Sequence, residues 1–366
     1  MQTPSSARSG PRAESQLPAL LLQPEVVTIL GTYRCTAACE NCCFGSNPYM
    51  TKRLDLGDIL AFIEESARYP SCKLVVFSGG ECFLLGDELV TAVEYATSLG
   101  FSTRCVTNGY WAKSLRHGRR RLSTLVEAGL KELNVSTGDY HQRWVAQNTV
   151  VNAACLSVEA GLRSTVVMVE LQKERRVTAA SVGADARVRE LLADETAHFQ
   201  LIESPWMPMN AEDHIPQSDE QLLSRRTLHL RGGCDSVLRN LVVTPERRFG
   251  FCCGLTRERI PELNAAWDGG TLDDLLEAGS RDFMKIWLHV DGPERILAWA
   301  ASKDPRIEWE NRYAHHCHAC LALYTDPLVR EAIRAHHRER VEDVLARYVA
   351  ELRTQQAEST DFATAV

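Results

Sequence analysis

Two patterns of apolar residues alternate along the first two thirds of the chain. Short runs rich in β-branched residues predict strands at residues 25–30, 73–77, 101–106, 132–136, 164–171 and 198–202. Between these runs, apolar residues recur at the spacing of an amphipathic helix. One such stripe, within residues 56–69, consists of Ile59, Phe62, Ile63 and Ala67. Another helical segment ends at Gly100, a residue typical of the position after a helix C-terminus.

Six strand–helix units in succession predict an α/β fold, because each helix carries the chain back to start a parallel strand beside the previous one. Six units are too few for the usual eightfold barrel, so we expect a partial (β/α)6 barrel of parallel strands. In such folds the active site lies at the carboxyl ends of the strands. The residues that follow each predicted strand are therefore the place to look for chemistry.

The pattern changes after about residue 231. Residues 238–254 contain two β-rich runs around a turn with proline, which predicts a β-hairpin, and short helices follow. The last predicted helix covers residues 327–352. We therefore expect a disordered tail at 1–24, the parallel core at 25–231, a hairpin-and-helix domain at 232–326, and a C-terminal helix and tail at 327–366.

Composition and charge narrow the classes of partner. The 366 residues are 45% hydrophobic, which is enough for a buried core, and the formal net charge is −7. A negative balance argues against nucleic acid or an anionic membrane as the main partner. No apolar stretch has the form of a membrane span or an export signal, so we predict a cytoplasmic protein. In that reducing compartment, the 13 cysteines are expected to be metal ligands or catalytic groups rather than disulfides.

Four cysteines follow the first predicted strand. Cys35, Cys39 and Cys42 have the spacing C-x3-C-x2-C, and Cys43 is adjacent but is expected to point away from the other three. Three thiolates on one tight loop can hold three irons of a four-iron cube and leave the fourth iron without a protein ligand. An iron without a protein ligand can react with a bound molecule. Catalytic zinc sites keep an open coordination position in the same way, whereas structural zinc sites are closed.

The stretch SGGE, residues 78–81, ends the second predicted strand. Its two glycines allow the backbone to approach a ligand closely, and Glu81 offers a carboxylate to an amino group. A Gly-Gly turn after a strand is common, so this motif alone is a weak signal. It becomes specific because it lies on the strand that follows the cysteine loop.

These motifs together resemble the radical S-adenosylmethionine (SAM) family over about residues 26–202. The stretches TNG at 107–109 and VST at 135–137 also fit that family. The resemblance implies that the three cysteines hold a [4Fe–4S] cluster whose fourth iron binds the amino and carboxylate groups of SAM. It also implies that one electron, supplied by an external reductant of the flavodoxin or ferredoxin type, cleaves SAM to a 5′-deoxyadenosyl radical, which abstracts hydrogen from a substrate.

The same resemblance assigns further contacts with SAM. Gly79, Gly80 and Glu81 are expected to meet the methionine amino group. Asn108 and Ser136 are candidates for the ribose and the carboxylate.

Two positions depart from the family pattern. The family usually has an aromatic residue before the third cysteine, where this chain has Asn41, and Phe44 is the candidate to replace its adenine contact. The residue after the glutamate is commonly proline in the family, and here it is Cys82. Cys82 is thus either a small packed residue or a thiol near the SAM pocket that takes part in catalysis.

A second group of cysteines lies in the last third of the chain. Cys317 and Cys320 form a C-x2-C pair that presents two sulfurs to one metal, and Cys234 precedes the hairpin. One of Cys252 and Cys253 completes a set of four ligands, because neighbouring strand residues face opposite ways. The group resembles the twitch extension of radical SAM enzymes, a short form of the SPASM domain. That resemblance implies an auxiliary [4Fe–4S] cluster and favours Cys252, and a structural zinc is the alternative.

Candidates for catalysis follow the fourth and sixth predicted strands. Asp139 and His141 have side chains that can act as acid, base or hydrogen-atom donor. The alternative is a polar loop in which Asp139 caps a helix. Glu203 and Trp206 follow the sixth strand and are candidates for substrate contacts.

The leading hypothesis is a radical SAM oxidoreductase or maturase that abstracts hydrogen from a ribosomally made precursor peptide in natural-product biosynthesis. An auxiliary cluster would take up an electron, which gives a crosslink or a dehydrogenation. One alternative is a dehydrogenase or epimerase of a small molecule such as an aminosugar, and an epimerase would need a hydrogen-atom donor such as Cys82. The other alternative is a zinc-binding interaction protein.

Overall fold

The structure is a computed structural model that describes residues 24–205, 207, 216–252, 254, 259–266 and 271–364. The expected tail, residues 1–24, lies outside the described residues apart from Pro24. Two positions singled out from the sequence, Trp206 and Cys253, also lie outside them.

All six predicted parallel strands are present, and they confirm the α/β fold. They are β1 (Val26–Thr32), β2 (Leu74–Gly79), β3 (Ser102–Thr107), β4 (Glu132–Thr137), β5 (Ser164–Leu171) and β6 (Phe199–Pro205). Each strand from β2 onward pairs in parallel with the strand before it in the chain. Their carboxyl ends therefore lie along one edge of the sheet, as in a partial barrel.

Helices connect these strands at the predicted places. They are α1 (Leu56–Ser66), α2 (Asp87–Ser98), α3 (Leu115–Glu127), α4 (Gln147–Glu159), α5 (Ala179–Gly183) and α6 (Ala186–Ala193). The predicted stripe of α1 is buried at Ile59, Phe62 and Ile63. Ala67 is exposed because the helix ends before it. Gly100 has a φ of +90° just after α2, which confirms the predicted helix end.

The predicted hairpin is present and extends the parallel sheet. β7 (Asn240–Val243) and β8 (Arg248–Gly250) pair antiparallel, and β9 (Asn264–Ala266) pairs with β8. β7 also pairs in parallel with β1, and Thr28 Oγ1 donates to Asn240 Oδ1 at 2.9 Å across that junction. Within the described residues the sheet has nine strands in the order β6-β5-β4-β3-β2-β1-β7-β8-β9. The sheet therefore continues across the expected domain boundary at residue 231.

Helices make up most of the described chain after β9. They are α7 (Leu272–Arg281), α8 (Phe283–Asp291), α9 (Pro293–Lys303), α10 (His316–Thr325), α11 (Pro327–His336) and α12 (Arg338–Thr364). The expected single helix over residues 327–352 is wrong, because two helices meet at His337. The His337 Nδ1 lies 3.3 Å from the Arg334 carbonyl, the acceptor that a continuous helix would give to residue 338. Of the helices that the structure describes, none is both long enough and apolar enough to cross a membrane.

Candidate active site

The first cysteine group lies on a loop at the carboxyl end of β1. The backbone N–H of Cys35 donates to the Asn47 carbonyl at 3.1 Å, so the two ends of the loop are joined. The backbone N–H of Cys42 donates to the Cys39 carbonyl at 3.1 Å, which forms a tight turn between them. Cys35 is buried, and the other two cysteines are half-buried. We refer to residues 35–47 as the cysteine loop.

The thiols of the cysteine loop are close enough to affect one another's protonation. Burial, with smaller contributions from Glu81 and Cys42, raises the pKa of Cys35 to about 12. Burial, with smaller contributions from Cys42 and Cys35, also raises the pKa of Cys39 to about 12. Thiols of this kind keep their protons until a metal displaces them. Three neighbouring thiols on one loop are a ligand set that suits an iron–sulfur cluster.

The end of β2 is packed against the start of the cysteine loop. The backbone N–H of Gly80 donates to the Thr32 carbonyl at 2.6 Å. The backbone N–H of Glu81 donates to the Arg34 carbonyl at 2.9 Å. A Cβ on Gly80 would overlap that same Arg34 carbonyl, and Gly79 has a φ of +117°. The packing itself therefore requires glycine at both positions.

Glu81 is fully buried and joins β2 to β3. Its carboxylate accepts hydrogen bonds from Thr107 Oγ1 at 2.8 Å and from the backbone N–H of Asn108 at 2.9 Å. It also accepts one from the backbone N–H of Phe83 at 3.1 Å. Burial raises the pKa of Glu81 to about 7, although these hydrogen bonds act to lower it. Both oxygens of Glu81 thus have protein donors, and the contacts of Gly79, Gly80 and Glu81 with the methionine amino group stay predictions.

Asn108 connects the end of β3 to the cysteine loop. Its Nδ2 donates to Thr36 Oγ1 at 3.0 Å and lies 3.5 Å from Cys35 Sγ. Ser136 is half-buried near the end of the neighbouring strand β4. The ring of Phe44 packs into a small apolar cluster with Leu30, Tyr33 and Val242. The SAM contacts of Asn108, Ser136 and Phe44 stay predictions.

Comparison with known proteins agrees with this geometry. Residues 29–166 match the family model of the Radical SAM superfamily. This chain contains a radical SAM domain. The matched range runs from β1 into β5, so it includes the cysteine loop, residues 79–81 and Asn108.

Individual relatives of the radical SAM domain are distant. YydG of Bacillus subtilis (strain 168), whose name refers to peptide biosynthesis, is 27% identical over 119 residues. That match covers 32% of this chain and 37% of YydG, so it spans little more than a third of the relative's length.

Solved structures share the fold at low identity. Native anSMEcpe with bound AdoMet and Kp18Cys peptide has a TM-score of 0.50 at 14% identity, covering 85% of this chain and 99% of that one. Streptococcus suis SuiB bound to precursor peptide SuiA has a TM-score of 0.41 at 12% identity, covering 72% of this chain and 66% of that one. At such identity the likeness to anSMEcpe concerns the fold alone.

Two candidate catalytic residues of the radical SAM domain follow β4. The Asp139 carboxylate accepts hydrogen bonds from the backbone N–H groups of Arg176 at 2.9 Å and Val177 at 3.1 Å. These bonds tie the loop after β4 to the loop after β5. His141 is buried, and burial lowers its pKa to about 4, so its imidazole is neutral at pH 7. The contacts of Asp139 favour a structural role, and the catalytic roles of both residues stay predictions.

Cys82 lies in the core of the radical SAM domain rather than on the cysteine loop. It is fully buried, and its Sγ donates to the Val106 carbonyl at 3.3 Å. A hydrogen-atom donor must reach the substrate, so this geometry favours a small packed residue. Glu203 also has protein partners. Its carboxylate accepts a hydrogen bond from the backbone N–H of Ala179 at 2.8 Å and forms an ion pair with Arg175 at 3.0 Å.

The sequence analysis missed Glu170, near the end of β5. It is buried, and its Oε1 accepts a hydrogen bond at 3.1 Å from Nδ2 of Asn41 in the cysteine loop. Burial raises the pKa of Glu170 to about 7, and the backbone N–H of Tyr140 and the Asn41 amide act in the opposite direction. The sequence did contain a signal for this residue, because Glu170 is the one charged residue in β5, STVVMVEL.

The second cysteine group also comes together, beyond the matched range of the radical SAM domain. Burial raises the pKa of Cys320 well above its ordinary value, and the thiols of Cys252 and Cys234 contribute, so the three lie near one another. The backbone N–H of Gly254 lies 3.5 Å from Cys252 Sγ. A Cβ built on Gly254 would lie 3.8 Å from Cys317 Sγ. The four predicted ligands therefore surround one region.

A histidine is paired with this second group. His316 Nδ1 lies 3.0 Å from Glu294 Oε2. Burial alone would lower the pKa of His316, but hydrogen bonds to Cys234 and Glu294 raise it to about 10. Burial would likewise raise the pKa of Cys234, but the hydrogen bond and charge of His316 lower it. His316 thus contacts a predicted ligand and stabilises its thiolate.

Among the described residues, no three Cys, His, Asp or Glu side chains converge closely enough to hold a single metal ion. A four-iron cluster needs its ligands spread around a cube rather than meeting at one ion.

Proposed function

We propose that this protein is a radical SAM enzyme that abstracts hydrogen from a C–H bond of a ribosomally made peptide. The observation that carries the proposal is the grouping of the Cys35, Cys39 and Cys42 thiols on a loop packed against Gly79 and Gly80. When bound there, a [4Fe–4S] cluster and SAM supply a 5′-deoxyadenosyl radical. The residues present fit these groups, because three thiols leave one iron for a non-protein ligand.

The chain's own residues hold this arrangement rigid. Glu81 joins the carboxyl ends of β2 and β3 through buried hydrogen bonds, so the two strand ends keep a fixed separation. Asn108 then fixes the position of Cys35 through Thr36 and the Cys35 sulfur itself. The close packing of Gly80 on the backbone of Tyr33 and Arg34 holds the end of β2 against the start of the cysteine loop.

A peptide substrate is supported by the sequence likeness to YydG, whose name refers to peptide biosynthesis. The fold shared with anSMEcpe, which was solved with a bound peptide, is compatible with the same class of substrate. A small-molecule substrate is the alternative outcome of the test below.

The second cysteine group extends the proposal to net oxidation. Cys234, Cys252, Cys317 and Cys320 would hold an auxiliary [4Fe–4S] cluster. A cluster held there would supply an acceptor for the second electron of a two-electron oxidation. An external flavodoxin or ferredoxin would supply the electron that starts each turnover, which fits a cytoplasmic location.

The test is anaerobic purification of the full chain, cluster reconstitution, and counting of iron and zinc. We expect about eight irons per chain, since two four-iron clusters account for them. With SAM, dithionite and a candidate precursor peptide, we expect 5′-deoxyadenosine and a peptide that has lost two hydrogens, measured by mass spectrometry. Zinc without iron would support the interaction-protein alternative. Turnover of a small molecule but of no peptide would contradict the proposed substrate class.

A further inference from the structure

Glu170 is a buried carboxylate whose placement is not explained by the fold alone. Its side chain is 2% exposed, and it ends a strand whose other residues are uncharged. Its Oε1 accepts a hydrogen bond from Asn41 Nδ2 at 3.1 Å. Asn41 lies between Cys39 and Cys42, so this bond connects β5 to the part of the cysteine loop that carries two of the three thiols.

The second oxygen of Glu170 is different. Among the residues that the structure describes, none donates to Glu170 Oε2 with ordinary hydrogen-bond geometry, and this oxygen is inaccessible to bulk solvent. The backbone N–H of Tyr140 lies near enough to the carboxylate to lower its pKa. Buried polar atoms in native proteins are nearly always paired, so an unpaired carboxylate oxygen at the active-site edge of the sheet points to a ligand donor.

Gly138 provides the space beside this oxygen. A Cβ on Gly138 would come within 2.5 Å of Glu170 Oε2, and the φ of Gly138 is +155°. Any larger residue would displace the carboxylate, so the loop after β4 leaves room for Glu170. Because Oε1 of the same carboxylate is bonded to Asn41, Oε2 also lies beside the cysteine loop.

We infer that Glu170 is a specificity residue that accepts a hydrogen bond from an N–H donor of the nucleotide bound at the cysteine loop. Oε1 orients Asn41, and Oε2 accepts from the ligand. This inference rests on the proposed function. Two groups of SAM carry an N–H donor of this kind, namely the exocyclic amine of adenine and the α-amino group of methionine. A carboxylate at this position would distinguish an amine from a carbonyl, because a carbonyl oxygen has no hydrogen to donate.

The test measures equilibrium binding of three nucleotides to the reconstituted full chain. The nucleotides are S-adenosylhomocysteine, its 6-oxo analogue S-inosylhomocysteine, and the S-adenosyl analogue that lacks the α-amino group. Glu170→Gln keeps the size of the side chain but presents an amide. We expect it to weaken binding of S-adenosylhomocysteine about tenfold, the loss that follows from removing one charge-assisted hydrogen bond.

The analogues distinguish the two donors. If adenine is the donor, the parent protein should prefer the adenosyl over the inosyl compound, and Glu170→Gln should lose that preference. If the α-amino group is the donor, the substitution should make no difference to the analogue that lacks it. Equal weakening for all three compounds, or no weakening for any, would overturn the inference.

Matched variants separate this effect from misfolding and from failure of the proposed function. Glu132→Gln removes a charge at the opposite end of the sheet, where Glu132 pairs with Arg104, and should bind all three compounds like the parent. Glu170→Asp keeps the charge with a shorter reach and should bind with intermediate affinity. Iron content and the electron paramagnetic resonance spectrum of the reduced cluster should match the parent in every variant. A parent protein that assembles the cluster but binds no nucleotide would contradict the proposed function itself.

Discussion

The two cysteine groups reach similar chemistry by different routes. In the first group, the three thiols lie within eight residues of the cysteine loop, from Cys35 to Cys42, and the loop is held by its own backbone hydrogen bonds. In the second, the four sulfurs come from segments as far apart as Cys234 and Cys320, and tertiary packing brings them together. In the proposed function, the first group would leave one iron for a ligand, whereas the second would supply four ligands.

This difference predicts separate functions for the two groups. A ligand set contained in one loop can form as soon as β1 and β2 pair, and an incomplete set favours binding of SAM. The ligands of the second group come from the hairpin and α10, so their grouping depends on the whole C-terminal half. Four protein ligands would leave no iron free, which favours electron transfer. The following predictions test that contrast, from the largest effect to the smallest.

Removal of one thiol from the first group should have the largest effect. We expect Cys39→Ala to abolish SAM cleavage, because a cube with two protein ligands is not retained on the loop. Iron should fall from about eight to about four per chain. The measurement is 5′-deoxyadenosine formation by liquid chromatography. Cys43→Ala is the matched control and should behave like the parent. Full SAM cleavage by the Cys39 variant would rule out the assignment.

Removal of one thiol from the second group should separate the two steps of turnover. We expect Cys317→Ala to retain much of the SAM cleavage while it forms no oxidised product. Deoxyadenosine and product masses should be measured in the same reaction. Cys155→Ala, which changes a half-buried cysteine on α4, is the control and should leave both unchanged. Equal loss of both activities would show that the two groups do not have separate functions.

A substitution at Gly80 tests the packing that holds the first group. Gly80→Ala places a methyl group against the Arg34 carbonyl, and the overlap should reduce the free energy of unfolding by about 2–3 kcal/mol. Urea unfolding followed by circular dichroism measures the change. Gly232→Ala is the control, because a Cβ there meets no atom within 4 Å. Equal stability of the two variants would contradict the packing described for β2.

The smallest effect concerns the pH dependence of stability. Burial raises the pKa of Glu81 to about 7, above its ordinary value, so its contribution to the stability of the fold is present at low pH and is lost as pH rises through 7. We expect this loss to be about 1 kcal/mol between pH 6 and 8.5. Glu81→Gln should remove it and flatten the profile, measured by urea unfolding across that range. An unchanged slope in the variant would show that Glu81 does not titrate there.

Some features of the site could be predicted because they are encoded in neighbouring residues. The spacing of Cys35, Cys39 and Cys42 within one loop, and the two glycines that end β2, are local patterns. The structure agrees with them, since one loop can place its residues together without help from the rest of the chain. The role of Glu81 could not be read in the same way. Its partners Thr107 and Asn108 lie on another strand, so only strand pairing shows that its carboxylate is used internally.

Glu170 shows the same limit more clearly. The sequence displays a single charge in an apolar strand, but it does not say which loop that charge meets. The partner Asn41 is 129 residues away, and the space beside Gly138 comes from a third segment. Contacts between residues this far apart in the sequence depend on the order of the strands in the sheet.

The sequence by itself determined the six parallel strands, the hairpin and the grouping of three cysteines on one loop, because the hydrophobic period and a short spacing depend on only a few neighbouring residues. The tertiary structure decided that β7 pairs with β1, that the second cysteine group converges, and that Glu170 lies behind the cysteine loop. These outcomes depend on which surfaces bury one another, and that choice is made by the whole chain at once.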